Sequence, residues 1–261
     1  MKIEIKERKK CFFSIVIASY NDLDNLIDCI ASINAQSFKN YEVLVSDGGS
    51  SDGTLDYIKS GIIDKLSWYK SSADEGIYDA LNIAFNHISG KWVLVLGADD
   101  SLIDSSALAR AHQNLNWLGA NIGIAYSDIY IKYDYGVVLK RYPEFDEFEI
   151  EYNGGAFIHH QSAFILSSAI CLVGKFSSEF KIHSDYDMIL RVLKISTAFK
   201  IKDSFVTYNA HGFSSKLNNL IRSFCEVRTI RKSHGYSSAP MRLLKTFAGS
   251  MVRVFFRFLK I

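Results

Sequence analysis

Proline is nearly missing, with two residues in 261, and the 16 glycines form no repeat. Collagen-like and Pro-rich low-complexity chains are thereby excluded. No uncharged apolar run is long enough to cross a bilayer as a helix. The four cysteines, Cys11, Cys29, Cys171 and Cys225, show neither C-x-x-C nor any metal-ligand spacing. They suit buried or half-buried thiols in a reducing compartment. The basic N-terminus has an apolar run broken at Ser14 and no small-residue cleavage pattern after it, so no signal peptide is expected. A P-loop is absent, and DGGSSDG (47–53) does not match the dinucleotide fingerprint G-x-G-x-x-G.

What is present is globular. Apolar residues make up 48% and charged residues 22%, which fits one large α/β domain or a core with an appendage. Thirty bases against 28 acids leave +2, which is not the balance of a nucleic-acid binder. The average hides an asymmetry. Residues 216–261 hold ten Lys or Arg and a single acid, Glu226, whereas residues 1–215 hold 20 bases and 27 acids. The basic end is therefore a separate question.

The first 125 residues alternate between two periodicities. FFSIVIAS (12–19), YEVLVS (41–46), LSWYKS (66–71) and KWVLVLG (91–97) read as strands. Between them, Asp22 to Gln36 is helical, with Leu23, Leu26, Ile27, Ile30 and Ile33 at steps of three and four. Thr54 to Ser60 and 76–88 are further helices, the latter ending at Gly90 as a C-cap. Alternation of this kind implies a parallel sheet with right-handed crossovers. Ligands then bind beyond the carboxyl ends of the strands, where ASYND (18–22), SDGGSSDGT (46–54) and GADDS (97–101) all lie. The second half is less regular. Residues 123–143 read as antiparallel strands around a Tyr-Gly turn, 146–166 as a loop and strand, 183–195 as a helix, 216–234 as a polar helix and 241–260 as another.

Asp99 and Asp100 close a buried strand. Two adjacent carboxylates repel unless a cation sits beside them, and a hard divalent metal with oxygen ligands answers that need. Asp47 is backed by Gly48 and Gly49, which permit close backbone approach to a ligand. A carboxylate there can accept hydrogen bonds from a base or a ribose hydroxyl.

In order, ASYND, SDGGSSDGT, GIYDALN (76–82) and LGADD (96–100) resemble the family 2 glycosyltransferases of the GT-A fold. HHQSAFI (159–165) and KFSSEFKIHSDYDMILRV (175–192) resemble the acceptor half of bacterial members that build surface polysaccharides. The resemblance covers roughly residues 12–215. It implies a Rossmann-like, mostly parallel central sheet flanked by helices, with residues 216–261 as a basic helical extension. Ala18, Tyr20 and Asp22 would line the nucleotide pocket, and Asp47 would contact the base. Asp52 would shape its loop. Asp74 and Gly76 would sit near the sugar-nucleotide, with Ala98 and Asp99 beside it. Asp99 would bind a divalent Mn or Mg that bridges the two phosphates, assisted by Asp100 or by His211. Gly97 stands where the D-x-D motif has its first acid. Asp185 would match the catalytic carboxylate, with Ser184 in place of the usual acid before it and Asp187 as the fallback. His160 and Gln161 would contact phosphate or acceptor. His159 reads as solvent-exposed.

On a helical wheel, residues 242–261 place their basic residues on one stripe and their large apolar residues on the remainder. This is the pattern of a helix lying in a membrane interface, with a docked terminal helix as the alternative. The combined expectation is an inverting, metal-dependent transferase of UDP-sugars. Its acceptor would be a glycan or a polyprenyl-diphosphate-linked chain, for O-antigen, capsule or exopolysaccharide, at the inner face of the cytoplasmic membrane. A nucleotide-sugar-binding module without turnover and a nucleotidyltransferase are the competing readings. The latter needs a basic, Gly-rich phosphate loop, which ASYND is not.

Overall fold

The computed structural model describes residues 11–145, 158–210 and 217–236. The strands are β1 (Phe13–Ser19), β2 (Tyr41–Asp47), β3 (Leu66–Ser71), β4 (Trp92–Gly97), β5 (Ser101–Leu102), β6 (Ile122–Tyr133), β7 (Gly136–Lys140), β8 (Ala163–Leu166) and β9 (Thr197–Asn209). The helices are α1 (Leu23–Asn34), α2 (Thr54–Lys59), α3 (Ile77–Ala84), α4 (Ala107–Leu115), α5 (Ser167–Val173), α6 (Ser184–Leu193) and α7 (Leu217–Ser233). One sheet runs in the order β3-β2-β1-β4-β8-β6-β9-β5, with β7 paired to β6.

The first four strands are parallel, as their apolar runs require. Phe13, Ile15, Val16 and Ile17 are all fully buried, because helices cover both faces of this part of the sheet. In α1 the buried stripe is Leu26, Cys29, Ile30 and Ile33. Ile27, expected on that stripe, is 38% exposed, and Cys29 fills its place. The strand ends are aligned: Ala18 pairs with both Ser46 and Gly97, Ser19 with Asp47, and Asp47 with Ser71. The loops that follow β1, β2, β3 and β4 therefore share one edge.

Beyond β4 the sheet is mixed. β8 is antiparallel to both β4 and β6, while β6 and β9 run parallel. The reversal brings the entry of β8 to the edge where β4 exits. Between the end of β6 and the start of β7, Asp134 and Tyr135 form a two-residue hairpin loop, closed by Gly136 at φ 133°.

Two expectations are corrected. α3 ends at Ala84 with Phe85 as its cap, so Gly90 is not a C-cap. Instead a β-carbon at Gly90 would lie 2.4 Å from the Ser14 nitrogen and 2.5 Å from the Phe13 carbonyl carbon. Glycine is required there because the chain crosses the backbone of β1. Gly90→Ala should cost about 3 kcal/mol, the scale of overpacking against a backbone that cannot yield. A thermal melt should show Tm lower by roughly 6–12 °C, and an unchanged melt would refute the close approach. Second, Cys171 and Cys225 are exposed rather than buried, on the outer faces of α5 and α7. The start of the expected basic extension, α7, packs against α6. Val227 and Ile230 of α7 are buried with Phe180, Tyr186 and Leu190 in one cluster, and the Arg231 guanidinium, fully buried, donates to the Tyr186 hydroxyl at 3.2 Å. His211 and the expected helix at 241–260 lie outside the described residues. No described helix is long and apolar enough to cross a membrane.

Candidate active site

The nucleotide side is built from the loops after β1, β2 and β3. A β-carbon at Gly48 would meet Asp74 Oδ2 at 3.0 Å and the Tyr20 ring at 3.1 Å. These three residues, 54 apart in sequence at their extremes, thus converge on one spot that glycine alone leaves open. The Tyr20 ring is 65% exposed, an apolar face presented at the rim. Asp74 Oδ1 accepts the Gly76 N–H at 2.9 Å, and Gly76, at φ 121°, caps α3. Asn21 ties the loops together. It adopts φ 48°, a conformation asparagine tolerates. It donates its N–H to Ser50 Oγ at 2.7 Å and accepts the Ser51 N–H at 2.9 Å. Asp52 accepts the Leu23 N–H at the start of α1 and the Thr54 N–H and hydroxyl at the start of α2. Asp22 accepts from the Asn25 side chain at 2.7 Å.

Asp47 is placed differently from its expected part. It is 1% exposed. Oδ2 accepts the N–H groups of Gly49 (3.2 Å) and Ser50 (3.0 Å) and the Ser71 hydroxyl (2.5 Å), while Oδ1 accepts the Ser50 hydroxyl. The carboxylate is spent on its own loop and on β3, so it shapes the rim.

The turn after β4 separates the two aspartates. Asp99 is half-buried, and Asp100 is 1% exposed. Asp100 folds back to accept the Gly97 N–H at 2.7 Å and the Asn209 N–H at 3.2 Å. Burial, and then the Asp99 charge, push its carboxyl up to about 6. Its oxygens close the turn onto β9. A β-carbon at Gly97 would sit 2.7 Å from Asp99 Oδ1 and 2.9 Å from Asp100 Oδ2. Both carboxylates occupy the space that a first D-x-D side chain would need. Ala98 is buried beneath the turn at 5% exposure.

Among the described residues, no three His, Cys, Asp or Glu side chains gather to hold a metal. A protein cage is thus not what these residues build. One half-buried carboxylate completed by phosphate oxygens and water is the usual manner of holding Mg, and Asp99 fits that manner.

Across the same edge lies a second cluster. The turn His160–Ser162 enters β8, and Asp185 opens α6. His160 Nδ1 donates to Asp185 Oδ2 at 2.7 Å. The Tyr78 hydroxyl lies 3.0 Å from Asp185 Oδ1 and 2.7 Å from the Ile182 carbonyl oxygen, sharing its proton between them. Burial alone would push the Asp185 carboxyl up. The His160 charge and hydrogen bond, the His183 charge and the Tyr78 hydroxyl outweigh it and hold the carboxyl far below the usual range. Burial likewise depresses His160, but the Asp185 charge and hydrogen bond, with Asp100 behind them, leave it above its ordinary value. Asp100 and His160 therefore sense one another, which links the β4 turn to the Asp185 cluster.

The neighbours are less available. Asp187, the fallback base, accepts from Arg191 Nε at 2.8 Å and His234 Nε2 at 2.9 Å. Gln161 is buried at 9% exposure. His159 is half-buried rather than exposed. Its Nε2 accepts from the Lys140 ammonium at 3.1 Å, and burial, then Lys140, depress it to about 3.

Two members escaped the sequence reading. Asn21 stood inside ASYND without a role. Tyr78 had a usable signal: it shares the buried face of α3 with Leu81 and Ala84, and a buried tyrosine needs a partner for its hydroxyl.

Four parallel strands with acidic loops at their carboxyl edge, extended by a mixed half that returns a histidine and an aspartate to that edge, define a GT-A glycosyltransferase fold. The chain belongs to glycosyl transferase family 2, whose model matches residues 14–172, and it is a glycosyltransferase. It is 31% identical over 192 residues to a PGL/p-HBAD biosynthesis glycosyltransferase of Mycobacterium bovis, covering 69% of this chain and 68% of the relative. It is 27% identical over 122 residues to WfaP of Escherichia coli, named a UDP-Glc:alpha-D-GlcNAc-diphosphoundecaprenol beta-1,3-glucosyltransferase, with 47% of each chain covered. In fold it matches a mannosyltransferase of Pyrobaculum calidifontis solved with GDP-Man and Mn2+, with TM-score 0.64, 16% identity, and coverage of 94% of this chain and 75% of that one.

Proposed function

We propose that the chain moves a sugar from a nucleotide-diphosphate donor, a UDP-sugar, to a hydroxyl of a glycan or polyprenyl-diphosphate-linked acceptor, with inversion. The observation that carries the reading is the Asp185–His160–Tyr78 cluster on the edge that also bears Asp99 and the Tyr20–Gly48–Asp74 cleft. Tyr20 offers a base its exposed ring, and Asp74 lies beside it where ribose or sugar hydroxyls need an acceptor. Asp99 would hold a divalent Mn or Mg, which supplies positive charge to the diphosphate as it leaves. Asp185 takes the proton from the acceptor hydroxyl as that oxygen attacks the anomeric carbon. Attack from the side opposite the diphosphate inverts the centre in one step. His160 and Tyr78 fix the carboxylate in its ionised form, so it is ready to accept. In support, WfaP is named for a UDP-sugar and a diphosphoundecaprenol acceptor, and the Pyrobaculum structure holds a nucleotide sugar with Mn2+. A thermal-shift panel of UDP-glucose, UDP-GlcNAc and GDP-mannose, each with Mn or Mg, tests the reading. Stabilisation by a UDP-sugar that grows with metal is expected, and none by any of the three would overturn it.

A lipid-linked acceptor for O-antigen, capsule or exopolysaccharide explains the basic amphipathic pattern of residues 241–261, because such an acceptor cannot leave the inner face of the bilayer. Full-length protein should float with vesicles containing anionic lipid, less so as salt rises. An apolar face adds a salt-resistant part. Protein lacking 241–261 should remain behind while still binding UDP. Equal flotation of the two forms would remove the membrane role.

A further inference from the structure

We propose that Glu226 is a positioning residue for Asp185, so that α7 belongs to the catalytic apparatus. The proposal rests on Asp185 as the proton acceptor and adds the device that places it.

Glu226 is the single acid of residues 216–261, yet it is 8% exposed. A carboxylate is not buried without partners, and its partners here are specific. Oε1 accepts the Lys181 N–H at 3.0 Å, and Oε2 accepts the N–H groups of Ile182 at 2.9 Å and His183 at 3.0 Å. Arg222, one turn earlier in α7, closes on Oε1 at 3.0 Å. Three consecutive backbone donors thus wrap one carboxylate, an anion-holding nest with its anion supplied by the protein. Those three residues form the approach to α6. His183 is the residue before the helix, and Asp185 is its second residue. Ser223 adds a contact of 2.6 Å to His183 Nε2.

The same segment is held from the other side. The Ile182 carbonyl accepts from Tyr78, whose hydroxyl also reaches Asp185. Glu226 takes the Ile182 N–H and Tyr78 takes its C=O. The peptide leading to the base is thereby pinned at both polar groups.

Docking of α7 does not need this carboxylate. Val227 and Ile230 bury themselves against Phe180, Tyr186 and Leu190, and Arg231 and His234 bond to Tyr186 and Asp187. Removing Glu226 leaves these anchors in place. It strands three N–H groups, that of Ile182 buried and those of Lys181 and His183 part-buried, and the 181–183 segment relaxes toward other acceptors. A shift of about 1 Å in a reacting group costs on the order of 10²-fold in rate.

The test is a double-mutant cycle on full-length protein, reading UDP release from the UDP-sugar that gives the largest thermal shift and UDP affinity by calorimetry. Glu226→Ala should lower turnover by about 10²-fold with UDP affinity unchanged. Glu226→Asp, which keeps the charge, should recover part of the loss. In the Asp185→Asn background, Glu226→Ala should cost nothing more, because there is no base left to misplace. If Glu226→Ala fails to fold, the isosteric Glu226→Gln replaces it in the cycle. Full turnover in the Glu226 variant overturns the proposal, and so does a double variant slowed by the product of the single effects. Full turnover in Asp185→Asn alone is a different result: it removes the base assignment itself.

Discussion

Asp185→Asn is expected to lose at least about 10²-fold in transfer, the scale of a general base, while binding UDP as well as before. The substitution keeps the shape and one oxygen, so Tyr78 retains its partner, and the amide lies opposite His160. What disappears is a group able to take the acceptor proton. Initial rates of UDP release beside calorimetric UDP titration separate the two effects. Stability should shift in a defined window. The folded carboxyl lies below its unfolded value of about 3.9, so ionised Asp185 stabilises the fold at neutral pH, and that contribution fades as pH falls below about 4. Melts of the variant and the native chain should therefore differ at pH 7 and draw together in acid. Undiminished transfer would move the base elsewhere, with Asp187 the next carboxylate to replace.

Asp99→Ala should remove the gain in UDP affinity that Mn or Mg brings, leaving whatever affinity UDP has alone. The fold should persist, since the turn is closed by Asp100 through Gly97 and Asn209. Asp100→Ala should act the other way round. Removing it leaves two N–H groups without their acceptor at a buried site, a cost of roughly 1–3 kcal/mol, while the metal-dependent gain in UDP affinity persists. Calorimetry with and without metal, beside thermal melts, distinguishes the pair. A metal effect intact in Asp99→Ala and lost in Asp100→Ala would exchange their roles.

The contrast between these neighbours shows where sequence reading reaches its limit. Pattern alone located the strand, the turn and the carboxylates, because WVLVLG is apolar throughout and then abruptly acidic. It could not tell which carboxylate faces inward, since that depends on β9, whose Asn209 meets Asp100 109 residues later. β9 itself escaped notice. Lys200, Lys202 and Asp203 interrupt its apolar run, and Lys200 is buried only because it pairs with Asp128 on β6. α4 and α5 were also passed over, being short and set between polar turns. Asp47 looked like a ligand group for the same reason that Asp99 did, an acid at a strand end. Its hydroxyl and amide partners come from Gly49, Ser50 and Ser71, common residues whose spacing carries no signal. Glu226 was visible as an odd acid in a basic stretch, but its use depends on a segment 43 to 45 residues earlier.

The reversal between β4 and β8 bears on how the chain is made. As the ribosome releases residues 1–125, β3, β2, β1 and β4 can assemble, but β4, paired with β1 on one side, then leaves its other side open at Trp92, Val93 and Leu94 until Leu166, Ile165 and Phe164 emerge. An apolar strand with a bare hydrogen-bonding edge is an invitation to another chain. The nucleotide half is therefore not expected to survive as an isolated fragment. A product truncated at residue 125 should aggregate, and one extended through β8 should be protected from doing so by β8 along that margin.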